Sequence, residues 1–416
     1  MTTRKPEVAI VGINYFPEHT GIAPYTTGLA NGLAAAGYQV QVVTGYPHYP
    51  AWKISPEFTG WSHRRRAHGV EVSRLRHYVP FKPTLIKRLA MECTFAVRSL
   101  AQHLPQSGIV VAVSPSLISS LVTVLRVRLT RRNLKSIMWV QDVYSAAATE
   151  TGSGRIFSPA VRSLERLAMR QSDSLVVIHD GFKRDLIENF GVAVEKVNVI
   201  RNWSHISDPI THDRIATRAE RGWSSDQVVL LHAGNIGVKQ DLGNVLDAAA
   251  LAKERGLEVR FVFLGDGNQR PKLQQRATNM TNVEFIEPVD DEKFRCLLAA
   301  SDILLVNELP SLRETALPSK LTSYFRTGLP VLAATHPDSM TSKEIEFSRA
   351  GIRVDAGSPA ALLDGMRRLT SDTDLSENLG RAGLRFYEQH LQQDSAIREF
   401  DRIIQRIETP SRTSIA

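Results

Sequence analysis

The sequence predicts an α/β protein with two Rossmann-like domains, and three observations carry that prediction. Its 416 residues exceed what one hydrophobic core usually serves, so two domains are the default. Short β-branched apolar runs alternate with helical patterns along the chain, which is how parallel sheets covered by helices read. A polar stretch at residues 204–225, "SHISDPITHDRIATRAERGWSS", interrupts this rhythm, which then restarts.

Before the interruption, strands are expected at "VAIVGI", "QVQVVTG", "VEVSRL", "IVVAVSP", "SIMWVQD", "SLVVIHD" and "KVNVIRNW". After it they are expected at "VVLLHAGN", "VRFVFLGDG", "VEFIEPV", "ILLVNE", "PVLAAT" and "IRVD". The expected division is an N-terminal domain over 1–203, a linker over 204–225 and a C-terminal domain over 226–373. Helices over 374–408 would pack back toward the N-terminal domain, ahead of a tail at 409–416. Right-handed crossovers gather the strand C-termini of each sheet on one side, where ligands bind. Two such domains facing each other across a cleft would make that cleft the active site.

Hydrophobic content of 43% and charged content of 23% are those of a globular protein. The two cysteines, Cys93 and Cys296, lie far apart and suggest neither a disulfide framework nor a metal cluster. A reducing, cytoplasmic compartment follows. The opening "MTTRKPEVAIVG" reads as a first strand and not as a signal peptide. The net charge of +8 is uneven, since residues 60–135 hold fourteen Lys and Arg, among them Arg64, Arg65, Arg66 and Arg74, against Glu71 and Glu92. Such a field attracts an anionic membrane or a phosphorylated acceptor. Nucleic acid is set aside, because no recognition module accompanies the charge. In "TLIKRLAMECTFAVRSLAQHL", residues 84–104, Leu85, Leu89 and Phe95 fall near one helical face with Lys87, Arg88 and Arg98 around it. That pattern suits a helix resting on the inner face of the cytoplasmic membrane, and equally a core-packing helix with a solvated back.

The loop after the first strand, "GINYFPEHTGIAPYT", separates Gly12 from Gly21 too widely for a dinucleotide fingerprint. It instead places Gly21 at a helix N-terminus, where backbone N–H groups meet a phosphate or a sugar hydroxyl. "VVLLHAGNIGVKQDLGNVLDAA" offers a second such turn with Gly234, Gly237 and Lys239, and "FVFLGDGNQRPKL" a third with Gly265, Asp266 and Gly267. In "ETALPSKLTSYFRTGLPVLAAT", Pro318 presets a helix that Ser319 and Lys320 begin. Two lysines and two helix ends on one side of one domain point to a nucleoside diphosphate. For an acceptor, "YPHYPAWK" gathers Tyr46, His48, Tyr49 and Trp52, with His19 on the opening loop. "DTD" at 372–374 follows a helical stretch, so it reads as a turn and not as a metal motif, and His179 and His232 read as structural.

Taken together, "GINYFPEHTGIAPYTTGLA", "PHYPAW", "WVQD", "RNWS", "GNIGVK", "GDG" and "LPSKL...GLPV" resemble the retaining GT-B glycosyltransferases of family 4. The likeness is to the polysaccharide-assembly subgroup that includes colanic-acid-type and N-acetylfucosamine-type transferases. It implies a nucleotide-sugar donor, UDP-sugar first, with no tightly bound cofactor and no metal. It implies a glycan or polyprenyl-pyrophosphate-linked acceptor in surface polysaccharide or glycoconjugate assembly. The donor set it implies is Gly21, Asn235, Lys239, Gly265, Asp266, Gly267, Val289, Leu317, Ser319 and Lys320, and the catalytic set Asp142, Lys239 and Glu314. Gly21 would lie against the donor phosphate or the acceptor. Asp142 stands where many members carry a His, and a carboxylate capping the next turn is the alternative. The chain departs from the family at Asn235, where many relatives have Arg, and at Ser323, near a Glu that usually holds the ribose. Two other classes stay open: a GT-B-fold sugar-nucleotide epimerase, which would share the diphosphate cradle, and a non-catalytic assembly protein, which those departures motivate.

Overall fold

The computed structural model describes residues 5–19, 21–130, 133–142, 158–204, 213–312 and 319–408, the side chains of Leu85 and Ser158 excepted. The chain forms two compact units, one from Met1–Trp203 with Gln393–Ala416 and one from Ser204–Gln392.

In the first unit, β1 (Glu7–Val11) leads into α1 (Ala23–Ala35), β2 (Gln39–Gly45), β3 (Ser62–Ala67), β4 (Val70–Leu75), α2 (Leu85–Leu100), β5 (Ser107–Val113) and α3 (Leu117–Leu129). It continues with β6 (Asn133–Val140), α4 (Ser158–Gln171), β7 (Ser174–Val177), α5 (Asp180–Glu188) and β8 (Val197–Val199). The sheet order is β3-β4-β2-β1-β5-β6-β7-β8. Central strands such as β1 are apolar on both faces because helices cover both; Val8, Ala9 and Ile10 are fully buried. β3 is the exception to the expected pattern. Its sequence "SHRRRA" has no apolar alternation, and it pairs antiparallel with β4 as a charged edge strand, a composition that discourages further strand pairing.

On α2 the Phe95 face follows the core-packing alternative. Phe95 and Met91 are buried in the core with Leu75 and Val110, so the face marked by Phe95 is the packing face, and Leu89 is half-buried at its margin. A second apolar row, Ile86, Val97 and Leu100, is exposed on the opposite side beside Cys93.

The second unit begins inside the expected linker. α6 (Arg214–Arg221) is capped by Asp213, whose carboxylate accepts from the N–H groups of Ile215 and Ala216. Its buried Arg218 pairs with Asp302 and donates to the Ala300 carbonyl, which fastens the helix to the unit. Then follow β9 (Val228–Ala233), α7 (Leu242–Glu254), β10 (Val259–Leu264), α8 (Arg270–Arg276), β11 (Val283–Ile286), α9 (Asp291–Ala300), β12 (Ile303–Asn307) and α10 (Lys320–Phe325). β13 (Val331–Thr335), α11 (Met340–Ser348), β14 (Gly351–Asp355), α12 (Pro359–Ser371) and α13 (Thr373–His390) complete it. The sheet order is β11-β10-β9-β12-β13-β14, and every pairing is parallel.

The two closing helices part company. α13 stays on the second unit, with Phe386 edge-on to Phe325 and Phe347, while α14 (Gln393–Glu408) belongs to the first. The Asp372 carboxylate accepts from the N–H of Leu375, so "DTD" opens α13 as a helix cap. α14 lies on α1, burying Phe400, Ile403 and Ile404 in the first core. There Trp139 stacks on Trp203 at 6.1 Å with Phe400 edge-on at 5.2 Å. A Cβ at Gly28 would come within 2.7 Å of the Trp203 ring, so α1 approaches that pair only because the residue is glycine.

Candidate active site

In each sheet the strand order reverses once beside the first strand, between β1 and β5 and between β9 and β12. Loops beyond the carboxyl ends of strands at such a point are where open α/β sheets bind ligands.

In the second unit these loops are two glycine turns packed on each other. Gly234 N–H donates to the Leu264 carbonyl at 2.8 Å, and Ile236 N–H to the Asp266 carbonyl at 2.8 Å. A Cβ on Gly265, whose φ is +137°, would lie 2.0 Å from the Gly234 carbonyl oxygen, so no other residue fits there without displacing the first turn. Asn235 and Lys239 are exposed on this turn, and Asp266 is exposed on the neighbouring one, where its Oδ1 accepts from the N–H of Gly267. Asn307, the last residue of β12, anchors the Lys239 segment. Its amide donates to the carbonyls of Gln240 and Asp241, each at 2.9 Å, and the Lys239 carbonyl accepts from Leu309 N–H at 3.0 Å.

Lys320 enters this loop pair from α10, whose N-cap is Ser319. One turn on, the fully buried Tyr324 accepts at its hydroxyl from Ala233 N–H at 2.8 Å. Residues four apart share a helix face, so the bond that ties Tyr324 to the end of β9 also directs Lys320 there. The Lys320 ammonium lies 3.1 Å from Nε2 of the buried His232 and against Gly234. Burial pushes its pKa down to about 7, partly offset by Glu308, and holds the His232 imidazole neutral with help from the Lys320 charge. Glu308 directly follows β12. One of its carboxylate oxygens accepts from the Thr341 hydroxyl and the other has no hydrogen-bond partner among the described residues. Burial raises its pKa, opposed by the Thr341 bond and by the charges of Lys320 and Lys239. The result is a part-buried ammonium behind two glycine turns, an arrangement whose chemistry suits a phosphate group. Val289 sits before the Asp290 cap of α9 and packs on the core. Glu314 and Leu317 lie outside the described residues.

In the first unit the corresponding loop is organised by Glu18, a buried carboxylate that the sequence reading did not single out. Its Oε1 accepts from the N–H groups of His48 and Tyr49 at 2.7 and 2.8 Å, and its Oε2 from the Asn14 amide at 2.8 Å. This pins "YPHYPAW" to the opening loop. Gly21, at φ +64°, lies under Tyr49, whose ring meets Trp52 edge-on at 5.9 Å. The Arg88 guanidinium stands 5.1 Å over Trp52. Tyr49, Trp52 and Gly21 thus form one aromatic shelf, and His19 is exposed beside Phe16.

Two of the expected acceptor residues serve the loop and do not face a ligand. Tyr46 is fully buried with its hydroxyl donated to the Thr59 carbonyl, and His48 is buried against His77 at 4.9 Å between rings. Burial takes the His77 pKa down to about 3, with His48 adding to the fall. Asp142 lies just past β6, its carbonyl accepting from Ser114 at 3.2 Å. Its neighbour Gln141 exchanges two amide bonds with Asn202, at 2.7 and 3.1 Å. "WVQD" and "RNWS" therefore meet, through the stacked tryptophans and this amide pair. His179 caps α5 by accepting from Phe182 N–H at 3.0 Å.

Comparison with known proteins settles the class. Residues 20–203 match a glycosyl transferase 4-like domain, and residues 227–372 match the glycosyl transferases group 1. The chain belongs to the group 1 glycosyltransferases of GT-B fold. A colanic acid biosynthesis glycosyl transferase, so named, WcaI of Escherichia coli, is 27% identical over 410 residues, covering 95% of this chain and 98% of that one. Among solved structures, sucrose-phosphate synthase from Thermosynechococcus elongatus superposes with a TM-score of 0.72 at 14% identity, over 97% of this chain and 99% of that one. Anabaena HepE in complex with UDP-glucose does so with a TM-score of 0.66 at 15% identity, over 96% and 99%.

This glycosyltransferase carries three site residues that its sequence did not announce: Glu18, His232 as the neighbour of Lys320, and Glu308. Glu308 had a signal, since an acid directly after the apolar run "ILLVN" falls at a strand's carboxyl end, where sites collect. Among the described residues, no helix is long and apolar enough to cross a membrane.

Proposed function

We propose that this glycosyltransferase moves a sugar from a nucleoside diphosphate donor, a UDP-sugar first, to a glycan or polyprenyl-pyrophosphate-linked acceptor, with retention of anomeric configuration and without a metal ion. Surface polysaccharide assembly in the cytoplasm is the setting. The observation that carries the reading is the part-buried Lys320 ammonium, held behind Gly234 beside His232 and within the field of Glu308.

The diphosphate lies on the turns of Gly234 to Gly237 and Gly265 to Gly267, between Lys320 and Lys239. As the bond between the sugar's C1 and the phosphate oxygen breaks, negative charge grows on the diphosphate, and the two ammonium groups and the turn amides stabilise it. The acceptor hydroxyl bonds to C1 on the same face, and its proton passes to the departing phosphate oxygen. No carboxylate nucleophile is required. Glu308 raises the Lys320 pKa and so favours its charged form. Asn235 is exposed and uncharged on its turn, so Lys320 and Lys239 bear the phosphate's charge here.

Tyr49 and Trp52 offer ring faces to an acceptor sugar. The exposed row of Ile86, Val97 and Leu100, with Lys87, Arg88 and Arg98 on the same helix, supports docking on an anionic membrane that brings a lipid-linked acceptor. Two experiments test the reading. In a thermal-shift panel, UDP or another nucleoside diphosphate at 100 times its dissociation constant raises stability by about 2.7 kcal/mol, and no shift with any of them refutes the donor site. Product stereochemistry by NMR decides retention.

A further inference from the structure

A pocket of about 400 Å³ opens on the first unit beside α1, formed by none of the residues expected to bind donor or acceptor, though Arg65 and Arg74 belong to the basic stretch of residues 60–135. Its walls are Tyr15 and Phe16 from the opening loop, Asn31 from α1, and Arg65, Val72 and Arg74 from the β3–β4 hairpin. The hairpin register decides which arginines reach it. Strand side chains alternate between faces, and directly paired residues share a face. Arg65 pairs with Val72, whereas Arg64 pairs with Ser73 and Arg66 with Glu71. Of three consecutive arginines, only the middle one therefore stands on the α1 side, together with Arg74.

Arg74 is 6% exposed, and its Nη2 donates to the Phe16 carbonyl at 2.8 Å. Its Nε has no partner, and neither it nor Arg65 meets a carboxylate, among the described residues. A buried guanidinium without a counter-charge is costly unless something anionic completes it. Its other company is the rings of Tyr15 and Phe58, at 6.0 and 5.8 Å. Burial pushes the Tyr15 phenol up to about 12, so it stays a donor, and no described residue occupies its hydroxyl or the Asn31 amide.

The geometry points to a binding site for a phosphorylated saccharide, with the phosphate on Arg65 and Arg74 and the sugar against Tyr15, Phe16 and Asn31. Two fixed positive charges without a neighbouring acid suit a phosphate dianion, and the planar guanidinium matches its oxygens in pairs. The volume lies within the range of small-ligand sites, about 300–1,000 Å³. Two sources carry this chemistry: a free sugar phosphate and the phosphate that joins a glycan to a lipid.

Isothermal titration of the full chain with glucose, glucose 1-phosphate, glucose linked to farnesol through a phosphate diester, and UDP tests the site. The wild type binds the phosphorylated probes saturably and glucose at least about tenfold more weakly. Arg65→Glu, on an exposed edge strand, weakens glucose 1-phosphate at least about tenfold and leaves UDP within about twofold. Arg74→Lys keeps the charge, loses the paired geometry and also weakens it. Tighter binding of the farnesyl conjugate than of glucose 1-phosphate assigns the lipid-linked source, and weaker or equal binding the free one. The site is refuted if no phosphorylated probe binds, if glucose binds equally well, if Arg65→Glu changes nothing, or if UDP displaces the sugar phosphate and Lys239→Ala abolishes it. A chain that binds glucose 1-phosphate but not UDP refutes the donor reading alone.

Discussion

Both units open with the same device, a buried strand running through a loop into a helix, β1 into α1 and β9 into α7, yet the two loops are backed by opposite charges. Behind the β9 loop stands a part-buried ammonium, Lys320, with its nearest ring, His232, neutral. Behind the β1 loop stands a carboxylate, Glu18, whose oxygens are taken by two backbone N–H groups and an amide. The first arrangement leaves positive charge to be answered by a ligand, and the second leaves none of its own charge unanswered. Topology places a site; the buried residue behind the loop decides what it takes.

The sharpest way to break the contrast is to remove the cation. Lys320→Met, which keeps the stem and removes the charge, should lower the transfer rate about 10²- to 10³-fold, as does loss of one preorganised donor. Initial rates at saturating acceptor measure it, and a loss below about tenfold would show that the charge behind the loop is incidental. Glu18→Ala attacks the other loop. It leaves buried N–H groups of His48 and Tyr49 unsatisfied, at a cost of about 1 to 3 kcal/mol per group left so. Denaturant melts should show that loss, and UDP affinity should stay as it was.

Protonation sharpens the comparison further. In the free protein Lys320 is held near 7, so above that pH it must take up a proton before a diphosphate meets a cation. UDP affinity should weaken up to about tenfold per pH unit above 7, with proton uptake visible as a buffer-dependent binding enthalpy. Because Glu308 raises the Lys320 pKa, Glu308→Gln should move the onset to lower pH, and Lys320→Met should flatten the profile. The smallest effect is expected at the shelf: Arg88→Ala removes a cation–π contact with Trp52 worth about 0.5 to 1 kcal/mol, and should raise the acceptor KM a few-fold without changing UDP binding.

The fold was legible where burial is two-sided. Every strand of the second unit falls on an apolar run visible in the sequence, from "VVLLHAGN" to "IRVD". β3 was not, because an edge strand needs no apolar face and its arginines read as surface charge. α6 was hidden for a related reason, since the polar stretch around Arg218 is fixed by an ion pair between that buried arginine and the part-exposed Asp302, 84 residues away. In the site, the glycine turns and both lysines could be read locally. That Lys320 would lie beside His232, 88 residues earlier, or that Glu18 would hold the N–H of His48, 30 residues later, depends on strand order, which no local pattern encodes. The Phe95 helix was left with two readings for the same reason: periodicity finds two faces of a helix and does not say which one turns inward.

The placement of α14 has a bearing on how the protein is made. Ala396, Ile397, Phe400, Ile403 and Ile404 of α14 complete a core whose other buried members all precede Trp203 in the chain or include it, and the whole second unit is synthesised in between. During translation the ribosome thus releases α1 and the paired tryptophans long before their covering exists, and a nascent chain halted after the second unit would present a greasy, unfinished surface to chaperones.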